Sequence, residues 1–179
     1  MNNHLSRTLL PILLATATVA GAQESAFQLS LTPDVALHPA TTKINGLSLS
    51  IWGQNPGQRL SLGFVNGSTG DAGGLAWGLV NYDDNYTGVA WAWINVSRQN
   101  FTGWQSGMVN VAQGSFTGVQ SGCINYAEEF HGLQLGLVNW ADNLHGVQIG
   151  FANVAVNNPW FTAMPDKFAT AFPFVNWSF

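Results

Sequence analysis

His131 and His145 each stand immediately before a glycine, fourteen residues apart. What such a pair can do depends on the fold. Stacked on neighbouring turns of chain, the rings would lie about 4.8 Å apart and could share a metal or sense pH. At opposite ends of antiparallel strands they are turn histidines beside a tight glycine, and that is the plainer reading. Acidic groups gather at Asp83-Asp84-Asn85 and at Glu128-Glu129. Their oxygens suit calcium, but neither run has the spacing of an EF-hand loop, and solvated turn charge accounts for both. Gln105, Gln120, Gln134 and Gln148 are the most regular polar feature. Buried amides are costly unless paired, so the four read as a structural hydrogen-bond network, with the lining of a ligand groove or pore as the sharper alternative. Trp77, Trp91, Trp93, Trp104, Trp140 and Trp177 suit an interfacial girdle or a core better than a carbohydrate platform. The single cysteine, Cys123, excludes an intrachain disulfide and every multi-cysteine zinc pattern, and mid-strand it reads as an inert buried thiol. No nucleophile elbow, phosphate-binding loop, dinucleotide fingerprint or zinc-protease helix occurs in a supporting context. The chain therefore reads as non-enzymatic, with no cofactor and no metal expected.

These residues are held by a repeat. From Gly74 the chain runs GLAWGLVNYDDNYT, GVAWAWINVSRQNFT, GWQSGMVNVAQGSFT, GVQSGCINYAEEFH, GLQLGLVNWADNLH, GVQIGFANVAVNNP. The leading glycines are Gly74, Gly88, Gly103, Gly118, Gly132 and Gly146, at steps of 14 or 15 residues. A second glycine follows four residues on, replaced by Ala92 in one unit, and an asparagine three further: Asn81, Asn95, Asn110, Asn125, Asn139 and Asn153. Within a unit the pattern alternates with period two, as in Leu133, Leu135, Leu137 against Gln134, Gly136, Val138, which predicts a strand followed by a polar turn. The class is all-β. Flanking segments Phe27–Thr32, Leu47–Trp52, Leu60–Asn66 and Phe172–Phe179 alternate in the same sense, making about ten short strands.

Two architectures fit. In a parallel β-solenoid of 14–15-residue coils every turn stacks like on like, and the asparagines form a ladder. In an antiparallel meander the true repeat is a hairpin. Units one, three and five carry Leu-Val-Asn or Met-Val-Asn, while two, four and six begin Gly-Val, so alternate units resemble each other. An unbroken nine-residue strand also spans about 30 Å, leaving little chain to return. Both observations favour the meander, closing into a barrel, with the solenoid as the alternative. The strands carry almost no charge, which suits an apolar face toward lipid and a Gln/Gly/Ala/Ser face inside; a soluble fold with the faces reversed stays open.

Charged residues are 8% of the chain, against roughly 25% in a typical soluble domain. The formal charge of −4 and the lack of a basic stripe exclude nucleic acid as a partner. Residues 1–22 read as a secretory signal peptide: Arg7, an apolar stretch from about Leu9 to Ala20, and Ala20-Gly21-Ala22 as the cleavage site. Residues 23–179 form one β-repeat domain, exported to the outer membrane or cell surface, or else periplasmic or secreted. The ending FPFVNWSF, with Trp177 and Phe179 on one parity, resembles the signal that outer-membrane barrels present to their assembly machinery. That machinery and outer-membrane lipid are the expected partners. The units GLQLGLVN and GVQIGFAN, the leader and this ending together resemble bacterial cell-envelope proteins called surface repeat-containing proteins. The resemblance covers about Asn45 to Phe179 and is most specific through Gly132 to Asn153; it implies an envelope location, no enzymatic role and no catalytic residues. The Gly88 unit departs from it, with Ala90 for Gln, Ala92 for Gly, and Trp91 and Trp93 added. The sequence thus predicts a small non-enzymatic outer-membrane β-barrel with a structural or surface-interaction role, or a secreted soluble β-solenoid or β-sandwich that binds a ligand or partner.

Overall fold

The computed structural model describes residues 23–179, so the leader predicted over 1–22 lies outside the described residues. The chain is all-β: β1 (Glu24–Thr32), β2 (Val35–Ala36), β3 (Lys43–Pro56), β4 (Leu60–Trp77), β5 (Val80–Trp91), β6 (Ile94–Ala155) and β7 (Ala171–Ser178). β1, β3, β4, β5 and β6 pair in sequence, each parallel to the next. Register is like on like: Asn66 lies beside Asn81, Asn81 beside Asn95, and Gly88 beside Gly103. β6 is 62 residues of extended chain that winds upon itself. This is a parallel β-solenoid. The antiparallel barrel of about ten strands is corrected to the alternative architecture.

Both arguments for the meander fail for physical reasons. The alternation between odd and even units lies at outward positions such as Leu75, Trp104, Ile94 and Ile124, which do not set strand direction. The inward residues do not alternate. Nor is the strand straight: the chain bends at Gly78-Leu79 and at Ala92-Trp93, so the mid-unit small residue makes the corner a coil needs. A second corner sits at the leading glycine. Gly103 has φ of 135°, and a Cβ there would lie 2.0 Å from the Gly88 carbonyl oxygen. Only hydrogen fits between backbones stacked that closely.

The interior is built from columns, one residue per turn. One column is amide: the Asn66 Nδ2 donates to Asn81 Oδ1 at 2.9 Å, and the same bond repeats through Asn95, Asn110, Asn125 and Asn139 to Asn153. The second N–H of each amide goes to a backbone carbonyl, such as that of Ser121 for Asn110 and of Leu135 for Asn125. A second column, Tyr86, Phe101, Phe116 and Phe130, stacks ring on ring with centroids 5.0 to 5.4 Å apart. Two further columns face each other across the interior and compensate in volume. Where one carries Gln105, Gln120, Gln134 and Gln148, the other carries Ala112, Ala127, Ala141 and Ala155; where the first shrinks to Ala76 and Ala90, the second grows to Asp83 and Ser97. All are buried.

The stack ends differently at its two edges. β2 pairs antiparallel with β1. β7 pairs antiparallel with the last turn, Gln148 opposite Asn176, and thereby breaks the parallel register. Phe168 stacks on Trp177 at 4.2 Å, and Phe172 meets Phe168 edge-on.

Candidate functional site: an aromatic groove along the solenoid axis

The bend at the mid-unit small residue turns its two neighbours outward on either side. Repeated up the stack, this produces a groove whose floor is Gly63, Gly78 and Ala92 and whose walls are Trp77 and Trp91 on one side, Phe64, Leu79 and Trp93 on the other. Its volume is about 530 Å³. The aromatics are open to solvent, Trp91 by 60% and Trp93 by 65%. Beyond Trp91 and Trp93 the groove continues for about 410 Å³ over Gly107 and Gly122, flanked by Ser106, Ser121, Met108 and Cys123. Here hydroxyls replace the tryptophan wall. Trp104 Nε1 donates to Ser121 Oγ at 2.8 Å, and Ser121 Oγ donates to Ser106 Oγ at 3.2 Å. No charged side chain lines either part.

The groove gathers four of the tryptophans singled out in the sequence, three lining it and Trp104 beside it. Trp140 lies elsewhere, bonded to Asp142, and Trp177 lies in β7, its Nε1 donating to the Pro165 carbonyl. Phe179 is exposed past the end of β7. Cys123 is exposed on the groove rim; the expectation of a buried thiol is corrected, because outward and inward positions follow the solenoid bend at Gly122. The sequence treated the triplets Trp77-Gly78-Leu79 and Trp91-Ala92-Trp93 as separate Trp residues. Their signal was a small residue between two bulky ones, recurring in the successive triplets Leu62-Gly63-Phe64, Trp77-Gly78-Leu79 and Trp91-Ala92-Trp93.

The glutamines sit inside, away from the groove and closed to solvent. Gln120 Nε2 donates to Gln105 Oε1, Gln134 to Gln120 and Gln148 to Gln134, at 2.8 to 3.0 Å. Their polarity is opposite to that of the asparagine ladder, which donates toward higher residue numbers. The Gln148 Oε1 at the end of the column has no donor. His131 and His145 stack with centroids 4.7 Å apart and rings 8° from parallel, both exposed. Their nitrogen lone pairs lie in parallel planes and do not converge, and no group of three or more His, Cys, Asp or Glu among the described residues is placed to hold a metal.

Asp83 is not a solvated turn charge, and that expectation is corrected. Its side chain points into the interior opposite Ala76 and Ala90, where the column needs volume, and it is 3% exposed. Burial, helped by the Asp84 charge, pushes its carboxyl up to about 7 against the opposing pull of the Ser97 hydroxyl and Arg98. Ser97 Oγ lies 2.6 Å from Asp83 Oδ1. Burial first, then Asp83, also raises the neighbouring Tyr86 phenol above its ordinary range. Asp84 remains outside, accepting from the Gly70 N–H and paired at 3.5 Å with Arg98. Asn85 joins an external ladder with Asp71 and Asn100. Glu128 and Glu129 are exposed, and Glu129 accepts from the Asn143 amide.

Compared with protein-family models, with curated proteins and with solved structures, the chain finds no match in any of the three.

Proposed function

We propose that the chain is an exported, non-enzymatic β-solenoid that binds a ligand or partner through the aromatic groove. The observation that carries this is an uncharged channel of about 530 Å³ walled by exposed Trp77, Trp91, Trp93 and Phe64. Contiguous apolar surface of a few hundred Å² on a folded chain marks an interaction site, and pockets with apolar walls and few polar groups are the usual small-molecule sites. Export rests on the leader reading of residues 1–22, and the cell envelope as destination on the resemblance of the repeat units to surface repeat-containing proteins. The interior columns carry the fold, so binding is left to the outer faces.

The test uses the chain 23–179 in detergent-free buffer with the neutral apolar dye N-phenyl-1-naphthylamine. Saturable binding that is lost in Trp77→Ala/Trp93→Ala supports the groove; absence of binding, or binding that the double variant leaves intact, refutes it.

A second reading has its own observation. Apolar exposure extends past the groove to Leu137, Phe151, Trp160 and Phe174, while Asp84, Glu128, Glu129 and Asp142 lie on the wall facing it across the interior. Such a two-sided molecule suits attachment to an outer-membrane lipid surface by its apolar flank. Among the described residues, no helix is long and apolar enough to cross a membrane. Co-sedimentation with vesicles of neutral lipid, abolished by Leu137→Glu/Phe151→Glu, is the expected result for this reading, and recovery in the supernatant counts against it.

A further inference from the structure

The groove changes character along its length, and the change has a direction. Its first part, from Ser50 to Trp93, is walled by aromatic and aliphatic side chains. Its second part presents hydroxyls. Those hydroxyls form a relay: the Trp104 N–H donates to Ser121, Ser121 donates to Ser106, and among the described residues the Ser106 hydroxyl proton meets no acceptor. An indole N–H can only donate, so the relay runs outward toward Ser106, and each bond polarises the next. The polar end of the groove therefore offers a hydrogen-bond donor with no charge beside it.

We infer that the groove holds a single-chain neutral amphiphile, its acyl chain between the Trp77–Trp91 and Phe64–Trp93 walls and its ester carbonyl on Ser106. This rests on the reading of the groove as the binding site and names the class of ligand. Four successive turns line the apolar part, and at about 4.8 Å per turn they span roughly 14 Å. One leaflet of a bilayer, half of a hydrocarbon core of about 30 Å, has much the same depth, so an acyl chain of membrane length fits. The floor is Gly63, Gly78 and Ala92, which lets a narrow chain lie close to the backbone. A charged head would meet no counter-ion in the groove, and burying it unpaired is unfavourable. A sugar needs several amides or carboxylates to satisfy its hydroxyls, and neither lines the groove.

The experiment titrates the chain 23–179, without vesicles or detergent, with a monoacylglycerol brominated in mid-chain and kept below its micelle concentration. Bromine quenches tryptophan on contact. Saturable quenching is expected, with at least tenfold weaker binding in Trp77→Ala/Trp93→Ala, about threefold or more in Ser106→Ala, and no change in Trp160→Ala, whose side chain lies outside the groove. Circular dichroism and melting verify that each variant is folded. Absence of quenching, or quenching that Ser106→Ala and the double tryptophan variant both leave unchanged, overturns the assignment. If N-phenyl-1-naphthylamine binds and is displaced by a soluble oligosaccharide but not by the monoacylglycerol, the groove stands as a binding site and the amphiphile is wrong. If neither dye nor monoacylglycerol binds, both readings fail.

Discussion

Among single residues, Asp83 sets the most specific expectation. Its carboxyl is raised from an ordinary value near 3.8 to about 7 in the folded chain. Between those values the folded state keeps a proton that the unfolded state has released, so stability falls as pH rises from about 4 to about 7 and levels off above. A displacement of that size corresponds to roughly 4 kcal/mol. Asp83→Asn keeps the acceptor for Ser97 and cannot ionise. Its unfolding free energy should lack this decline, and the comparison cancels whatever the histidines contribute. Denaturant melts of both proteins at pH 4.5 and pH 8 provide the measurement; equal pH dependence would place the carboxylate in contact with water. The same scale separates the glutamines. Gln120→Met leaves the Gln105 Oε1 without its donor and the Gln134 Nε2 without one of its acceptors. Each substitution also frees one backbone carbonyl, of Tyr126 and of Val154 respectively, but in the ladder Gln148→Met strands the Gln134 Oε1 alone and removes an oxygen that had no partner. With an unsatisfied buried group costing about 1–3 kcal/mol, the mid-ladder substitution should destabilise more by about that amount. Equal losses in urea melts would mean that the ladder is not read bond by bond.

At the scale of the single turn, the unit was legible and its direction was not. Glycine spacing marked the corners and asparagine spacing the ladder, and the period-two alternation separated the Gln positions from the Trp positions, because they obey the pleat whatever the strand direction; which of the two sets faces inward it left open. Direction was lost because the residues that differ between odd and even units face solvent, where neighbours impose no constraint. The groove was missed for a related reason: its walls belong to different turns and become one feature only after stacking. Asp83 was misplaced because it follows its neighbours' turn chemistry in sequence yet occupies the column that holds Ala112 and Ala127 further along. Two glycines test the account of the corner. At Gly118, φ is 133° and a Cβ would lie 2.0 Å from the Gly103 carbonyl oxygen, whereas at Gly70, φ is 66° and nothing lies within 4 Å. Gly70→Ala should cost about 1 kcal/mol from backbone strain alone. Gly118→Ala must also push two turns apart, and should cost about 3 kcal/mol or more, or leave no folded protein. Similar melting temperatures for the two variants would refute a backbone-limited corner.

For the whole molecule, a stack of like turns raises the question of why it stops. A solenoid's last turn presents a row of unpaired N–H and C=O groups, and natural repeats cover that edge to prevent end-to-end joining. Here the cover is β7. It takes the edge of Gly146–Val154 in antiparallel register, and so occupies the edge that another copy would need in order to continue the parallel stack. Its far side is closed in turn, by the Lys167–Ser178 bridge and the bond from the Phe179 N–H to the Asp166 carbonyl. The cap also terminates the columns it covers: Asn176 occupies the place of the next glutamine but spends its amide on Ala169, and Asn153 turns its Nδ2 to the Gly150 and Phe172 carbonyls. A chain ending at Asn157 keeps every column from Asn66 to Asn153 and loses only this cover. It should stay β-rich by circular dichroism and associate end to end, seen as concentration-dependent growth in light scattering, with the parallel register continued from one copy to the next. The full chain at the same concentration should not grow. A truncated chain that remains monomeric and folded would show that the twist of the last turn alone blocks addition; one that unfolds would show that the aromatic cluster of Phe168, Phe172 and Trp177 holds the final turns together, with edge protection secondary.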